Sequence, residues 1–456
     1  MFDIKKLFAC AASAVLMMLP VSAVTASADN LANPDAELTD GTFTYEMVNG
    51  GYTITHCDMT AIITEIPRVR NGYPITAIGD SAFVECKNIT EVKVPDTIRR
   101  IGQHAFAGCT SLKSVELPDT ITEIPSAAFF RCTALEEVKL PDTLTTIGNY
   151  AFAQCTSLKE MTLPESLTAI NPEAFTDCYS IQSFDTSKCP AFVFEDDILF
   201  NKSKSEIYRG SVELEGDLYI PDSVVTISPG AFSACQKIEN VFIPTAVSTI
   251  GADAFSNCFS LKKADIEEGI AVIEAGAFMN CVSLETFSVP TTVSEVSEEL
   301  CANCSSLTKV IIPEGVKKIG ENAFINCPKL QHLSIPKSVT EVAPHACGFS
   351  MNNETGEFTA VSGFDLSVSS DSAGMKYAKD NNIKFTAMDK SLKKIVFIIV
   401  ICGVILAAAV FAVVLMKRGG KSAAPAVRKS RKEQEKAEKE SSYENILGDD
   451  SSDDNE

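Results

Sequence analysis

Residues 98–120 read IRRIGQHAFAGCTSLKSVELPDT, and the same frame returns along most of the chain. Its fixed places are Ile98, Ile101-Gly102, Ala105-Phe106, Cys109, Leu112, Val115 and Leu117-Pro118. Cysteine marks the frame at Cys86, Cys109, Cys132, Cys155 and Cys178, then at Cys235, Cys258, Cys281, Cys304 and Cys327. Every step is 23 residues except the one from Cys178 to Cys235, which is 57. The apolar places follow no single helical or strand period. They describe a rung: a short strand at Leu-x-x-Val-x-Leu-Pro, a turn, then a tight arc through Ile-Gly and Ala-Phe. One rung cannot bury its own apolar side, so stacking against its neighbours must supply the core.

The residue types fit that geometry. Phe83, Phe106, Phe129, Phe152 and Phe175 are expected to stack in a column, each ring worth about 1.5–3 kcal/mol when fully buried. The Ala before each Phe leaves room for the ring. Gly79, Gly102, Gly148, Gly251 and Gly320 suit a bend that needs permissive backbone angles. Proline at the strand end stops the ladder from extending. The ladder cysteines point inward at about the 4.8 Å spacing of neighbouring strands. Free buried thiols are therefore expected, since Cys packs as a small hydrophobe. The CxxC at Cys301-Ala302-Asn303-Cys304 falls under the same reading, because both cysteines have places in the frame. At 300–301 the pair Leu300-Cys301 replaces Ala-Phe, a nearly volume-conserving swap. In the last rung Ala346-Cys347 stands there, with Phe349 as a nearby substitute for the ring.

The frame Leu-x-x-Val-x-Ile-Pro-x-x-Ile-x-x-Ile-Gly-x-x-Ala-Phe-x-x-Cys resembles the BspA-like leucine-rich repeat family of surface proteins. That resemblance implies a leucine-rich repeat solenoid, a β-rich α/β fold whose strands line a parallel concave sheet. It implies an N-terminal cap over 29–74, where Phe43-Thr44-Tyr45 and Tyr52-Thr53-Ile54 read as a hairpin. The repeats cover 75–346 and a C-terminal cap covers 347–388, with a closing helix and strand between Ser372 and Phe385. The 57-residue step holds one ordinary repeat and a 34-residue irregular one. A hairpin insertion at about 186–216 is expected from Phe192-Val193-Phe194 and Ile198-Leu199-Phe200, followed by Ile207-Tyr208. The family often has Gly where Asp197 stands, which leaves the first bend open.

The ends carry an address, an anchor and a tail. Residues 1–28 read as a signal peptide: Lys5 and Lys6, an apolar run from Leu7 to Leu19, then Ala26-Ser27-Ala28. Residues 395–416 form an uncharged run of roughly 33 Å at helical rise, long enough to be a transmembrane helix. Lys417, Arg418, Lys421, Arg428 and Lys429 follow it, which points to a single-pass membrane protein with its N-terminal ectodomain outside and its C-terminus cytoplasmic. Residues 417–456 are too polar to fold alone and read as a disordered cytoplasmic tail.

The 456 residues carry 39 Lys plus Arg and 60 Asp plus Glu, a net charge of -21. Setting aside 1–28 and everything from Lys417 onward leaves 28 bases and 49 acids, so the excess acid belongs to the outward-facing part. No nucleic-acid partner is expected from such a chain, whereas basic partners, divalent cations or simple solubility are all consistent with it.

No catalytic constellation emerges. His56, His104, His332 and His345 are scattered without ligand spacing. Neither an enzyme nor a cofactor is expected. Asp96, Asp119, Asp142, Glu165, Asp222 and Glu314 follow the strand proline at one fixed place. They read as turn residues bonding their own backbone, with Ca²⁺ as the alternative. Outward strand places flank the central Val. They are charged in the first half, as at Glu91 and Lys93, and more neutral in the second. There Phe242 and Ile311 stand where solvent is expected. With Lys263, Asp265, Lys309 and His332 they form the candidate ligand-binding set on the concave face. The function expected is that of a membrane-anchored cell-surface protein, with 395–416 as its anchor. It would bind an extracellular protein or glycan, in adhesion or in contact with host or neighbouring cells. The alternative is a single-pass receptor or sensor signalling through its tail.

Overall fold

The computed structural model describes residues 39–352 and 354–388. The segments 1–28, 395–416 and 417–456, expected above as signal, membrane span and tail, lie outside them. Among the described residues no helix is long and apolar enough to cross a membrane.

Each rung crosses two parallel sheets. The principal sheet is built from the Leu-x-x-Val-x-Leu/Ile strands. Glu91–Lys93 pairs Ser114–Glu116, which pairs Glu137–Lys139. Further on, Glu215–Tyr219, Lys237–Ile243, Lys263–Ile266, Thr286–Ser288 and Lys309–Ile311 form a five-stranded parallel sheet. The second sheet uses the two residues ending at the second Ile of the frame, as in Glu123–Ile124, Thr146–Ile147 and Ala169–Ile170, whether Gly148, Pro125 or Asn171 follows. In the principal strands the central residue packs inward, buried except for the half-buried Ala264, and its two neighbours point outward, the ordinary alternation of a pleated strand.

A third set of inter-rung hydrogen bonds runs through the arc. The Phe83 N–H donates to the Ala105 carbonyl at 2.7 Å, Phe106 to Ala128 at 2.8 Å and Phe255 to Ala277 at 2.8 Å. These bonds hold the rings in register. Phe106, Phe129 and Phe152 stack with centroids 5.4 Å apart and planes within 5° of parallel. Phe232, Phe255 and Phe278 repeat the column at 5.1 and 5.3 Å. Cys301 takes the ring's place at 300–301 and keeps its backbone bond to Ala323 at 2.9 Å.

The ladder thiols are free and buried. Each has a specific task. The Cys109 thiol donates to the Phe83 carbonyl at 3.1 Å, Cys132 to Phe106 at 3.1 Å, and Cys281 to Phe255 at 3.2 Å. The thiol is a second donor to a buried carbonyl that already accepts from the Cys N–H of its own rung, as Phe83 O does from Cys86 and Phe106 O from Cys109, both at 3.2 Å, and an aliphatic residue of similar size would not add that bond.

The glycines act differently from expectation. Gly79, Gly102, Gly148, Gly251 and Gly320 do not need a left-handed backbone; they need room. A Cβ on Gly102 would lie 2.4 Å from the Asp80 backbone nitrogen. The left-handed residues fall elsewhere, just before Ala and just before Cys. Ser81, His104 and Ala127 occupy the first place, and Glu85, Arg131 and Gln154 the second, all with φ between 54° and 61°. Such angles cost a non-glycine residue free energy and persist only where surroundings over-determine them; the stacked hydrogen bonds do so here. In the later rungs Asn fills the second place. Asn280 donates to Asn257 at 2.8 Å, Asn303 to Asn280 at 2.8 Å and Asn326 to Asn303 at 2.6 Å.

Both ends are covered. Phe43–Val48 and Gly51–Cys57 form an antiparallel hairpin, and Phe43 meets Phe83 edge-on at 5.8 Å. At the other end Ser372 caps the helix α1, Ala373–Asp380. The Tyr377 hydroxyl donates to the Cys347 carbonyl at 2.8 Å. Phe349 is not the substitute ring; it lies in a separate hairpin strand, edge-on to His345.

The irregular rung divides the interior into two apolar clusters, which meet between Ile198 and Tyr208. Phe192–Glu195 and Ile198–Asn201 pair antiparallel around a bend at Asp196 and Asp197, both left-handed. Glu206–Gly210 then returns to the second sheet beside Thr226–Ile227. Gly210 takes the backbone place of Phe, donating to the Ala231 carbonyl at 2.7 Å. The buried Arg209 guanidinium spans the gap. It donates to Cys178 O and Ser233 O, both at 2.8 Å, and to Gly230 O. A charge without a carboxylate is held by carbonyls from the rungs on either side.

Burial pushes the thiols of Cys155, Cys258 and Cys281 well above the ordinary range. Iodoacetamide should therefore label the ladder cysteines only after denaturation, and then label them as free thiols; mostly oxidised cysteines would contradict this packing. Arg209→Met keeps length but leaves the carbonyls without their donor, at roughly 1–3 kcal/mol each. The expected result is a lower denaturation midpoint with the two halves unfolding in separate transitions.

Candidate functional site

The alternation that turns the central residue of each principal strand inward leaves two outward rows. Strand register sets one row as Tyr219, Phe242 and Asp265, continuing through Ser288 to Ile311. The other runs Asp217, Asn240, Lys263, Thr286 and Lys309. Phe242 and Ile311 thus share a row but are three strands apart, about 14 Å at sheet spacing.

Phe242 has a partner that sequence reasoning missed. Tyr219 stacks on it with centroids 4.5 Å apart and planes 6° from parallel. Tyr219 is nevertheless 65% exposed, because Glu215–Tyr219 is the edge strand of its sheet. On the other side of Phe242 the Lys263 ammonium lies 6.0 Å from the ring centroid. It is also ion-paired with Asp265 at 2.7 Å. Asn240 donates to Asp217 at 2.6 Å. The structure therefore brings Tyr219, Phe242, Lys263 and Asp265 into one patch with Asp217 beside it.

The other expected residues stand apart from this patch. Ile311 is 46% exposed at the far edge strand, next to Lys309. His332 lies on the following strand, His332–Ile335, and its imidazole is paired with Asp365 of the C-terminal cap.

Other gatherings of charge have structural partners. In the acidic column Asp96 pairs with Arg68. The Asp119 carboxylate accepts from the Asp142 backbone at 3.1 Å, and Glu314 from the Ser338 backbone at 3.2 Å. These carboxylates tie one rung to the next instead of bonding their own turn, as the sequence reading had it. Among the described residues no three His, Cys, Asp or Glu are grouped to hold a metal ion. A groove of about 550 Å³ on the second sheet is lined by Glu274, Glu298, Glu321 and Glu341, with Lys318 paired to Glu295 at 2.9 Å. In the arc, burial raises the Asp253 carboxyl to about 7, helped by Asp177 and Glu299.

The family model for the BspA type leucine rich repeat region matches in six copies, over residues 76–206 and 202–331. A leucine rich cell surface protein from Faecalibacterium prausnitzii has a crystal structure similar to this fold, with 27% identity and a TM-score of 0.50. The match covers 67% of this chain and 94% of that one. A leucine-rich repeat protein from Eubacterium ventriosum has the same fold, with 23% identity and a TM-score of 0.51, over 70% and 93% of the two chains. No curated protein matches the chain.

The raised carboxyl of Asp253 generates a prediction. A folded-state value above the ordinary 3.8 means its contribution to stability is full below about pH 4 and is lost as pH rises through about 7. Asp253→Asn, which suits the left-handed backbone there, should be more stable than the native chain at pH 8 by at most about 4 kcal/mol. The difference should close by pH 4, as read from denaturation midpoints across that range.

Proposed function

The chain belongs to the BspA-type leucine-rich repeat family, and from that premise we propose that it is a cell-surface binding protein. Its solenoid faces outward, residues 395–416 anchor it in the membrane, and the C-terminal tail lies in the cytoplasm. The principal sheet binds an extracellular macromolecule, protein or glycan. One observation carries this reading: an open five-stranded parallel face on which Tyr219, Phe242 and Ile311 meet solvent. Repeat solenoids use such extended faces for binding, and apolar side chains gathered on a polar sheet mark contact sites. The charged apolar-run flanks support the anchor. The similar Faecalibacterium protein is described as a cell surface protein, which supports the location.

The test uses the full chain on intact cells, tagged at its tail. Extracellular matrix proteins and a glycan panel should include a ligand whose capture falls about tenfold in a Tyr219→Ala/Ile311→Ala double variant. External protease should abolish capture and spare a tail-tagged fragment. A tail cleaved from outside would sink the topology. Capture unchanged in the double variant would move binding off the principal sheet. If nothing is captured while the tail recruits a cytoplasmic partner, the receptor reading replaces this one.

A further inference from the structure

We propose that the Tyr219–Phe242 stack is a docking platform for a cationic, arginine-bearing peptide segment, with the guanidinium lying on the open face of Tyr219. This rests on the binding role of the principal sheet and names the chemistry of its partner.

Four observations converge. Tyr219 ends its sheet, so one ring face packs on Phe242 and the opposite face points to where the principal sheet breaks. No described strand pairs with Glu215–Tyr219 on that side, and the ring is 65% exposed. The stack already holds one cation: Lys263 sits over Phe242 at 6.0 Å, and a second cation would complete the same arrangement at the Tyr219 end.

Charge agrees with this. Asp217 and Glu215 share the outward face of the strand that carries Tyr219, and exposed Asp185 ends the strand before the break. Lysines nearby are engaged elsewhere: Lys237 with Glu213, Lys262 with Glu239 and Lys263 with Asp265. Among the described residues none of Asp185, Glu215 and Asp217 forms an ion pair. Lys188 acts on Asp185 and Lys237 on Glu215, whereas exposed Asp217 accepts from the neutral Asn240 amide on the strand face that carries Tyr219 and fits a positive charge brought from outside. The acid excess of the whole outward-facing part adds long-range attraction for such a partner. A planar guanidinium stacks on a ring while donating sideways to carboxylates, which an ammonium does less well.

The full chain in detergent micelles is titrated with a fluorescent peptide of four arginines spaced by Gly-Ser, alongside its lysine and citrulline counterparts. The arginine peptide should bind several-fold more tightly than the lysine peptide, and the citrulline peptide should not bind. Binding should weaken with salt. Tyr219→Ala should weaken it about tenfold, Asp217→Asn by a smaller factor, and Tyr219→Phe should retain it. Tyr219 is exposed, so these variants fold, and an unchanged denaturation midpoint checks that. Equal binding by Tyr219→Ala overturns the proposal. So does binding that survives Tyr219→Ala but is lost in Glu298→Gln/Glu321→Gln, since the acidic groove would then be the site. Capture of a neutral glycan that depends on Tyr219, without arginine-peptide binding, overturns the cationic partner and leaves the binding role of the sheet standing.

Discussion

The hydrogen bond from a rung's Phe N–H to the carbonyl of the next rung, Ala in most rungs and Leu300 after Phe278, sets the geometry on which the rest depends. It fixes the axial spacing at the arc. Ring stacking, the Cys thiol bond and the close approach at Gly102 all follow from it. The Ala side chain must be small, the thiol must find the Phe carbonyl, and the residue before Cys must turn left-handed. One backbone contact repeated along the chain thus dictates four residue choices per rung. A single rung has none of these partners, so stability is a property of neighbouring pairs.

That dependence explains what could be read in the sequence. Inward places recur every 23 residues, so the Phe column, the Cys ladder and the solenoid were legible without coordinates. The glycines were assigned the wrong reason because a missing Cβ looks the same whether the backbone needs freedom or a neighbour needs space. The left-handed residues were hidden for a related cause. Glu85, Arg131 and Gln154 have no shared chemistry; only the later run of Asn257, Asn280, Asn303 and Asn326 carried a visible signal. Stacked hydrogen bonds impose the angle on whatever side chain is present.

Tyr219 was missed for a different physical reason. Counting back from Ile220-Pro221, Leu218 stands at the Val place and Tyr219 at an outward one, but Leu214 is one residue early. Pairing with the next strand is irregular here too: register slips between Gly216 and Asp217, leaving Glu239 of that strand unpaired, with Gly216 at φ 72°. The frame therefore does not align until that irregularity is known. Arg209 was equally opaque. A lone arginine beside Gly210 reads as a surface residue, since a buried guanidinium without an acid is costly unless acceptors gather around its terminal nitrogens. The carbonyls of Cys178, Gly230 and Ser233 come from rungs on either side, and only the folded chain brings them together.

Arg209 and Tyr219 belong to the same departure from the repeat, on opposite sides of it. Shortening the arc of the irregular rung removes one Phe from the column, and Arg209 bridges the two cores that result. The same insertion interrupts the principal sheet, which makes Glu215–Tyr219 an edge and exposes one face of an aromatic stack. In a regular rung the outward pair is flanked on both sides by similar strands, and an aromatic there would be covered by its neighbours. A binding feature with an open ring face requires a break in the ladder, and a break requires something to hold the halves together. The buried guanidinium supplies that hold, so the irregular rung can interrupt the sheet without dividing the protein.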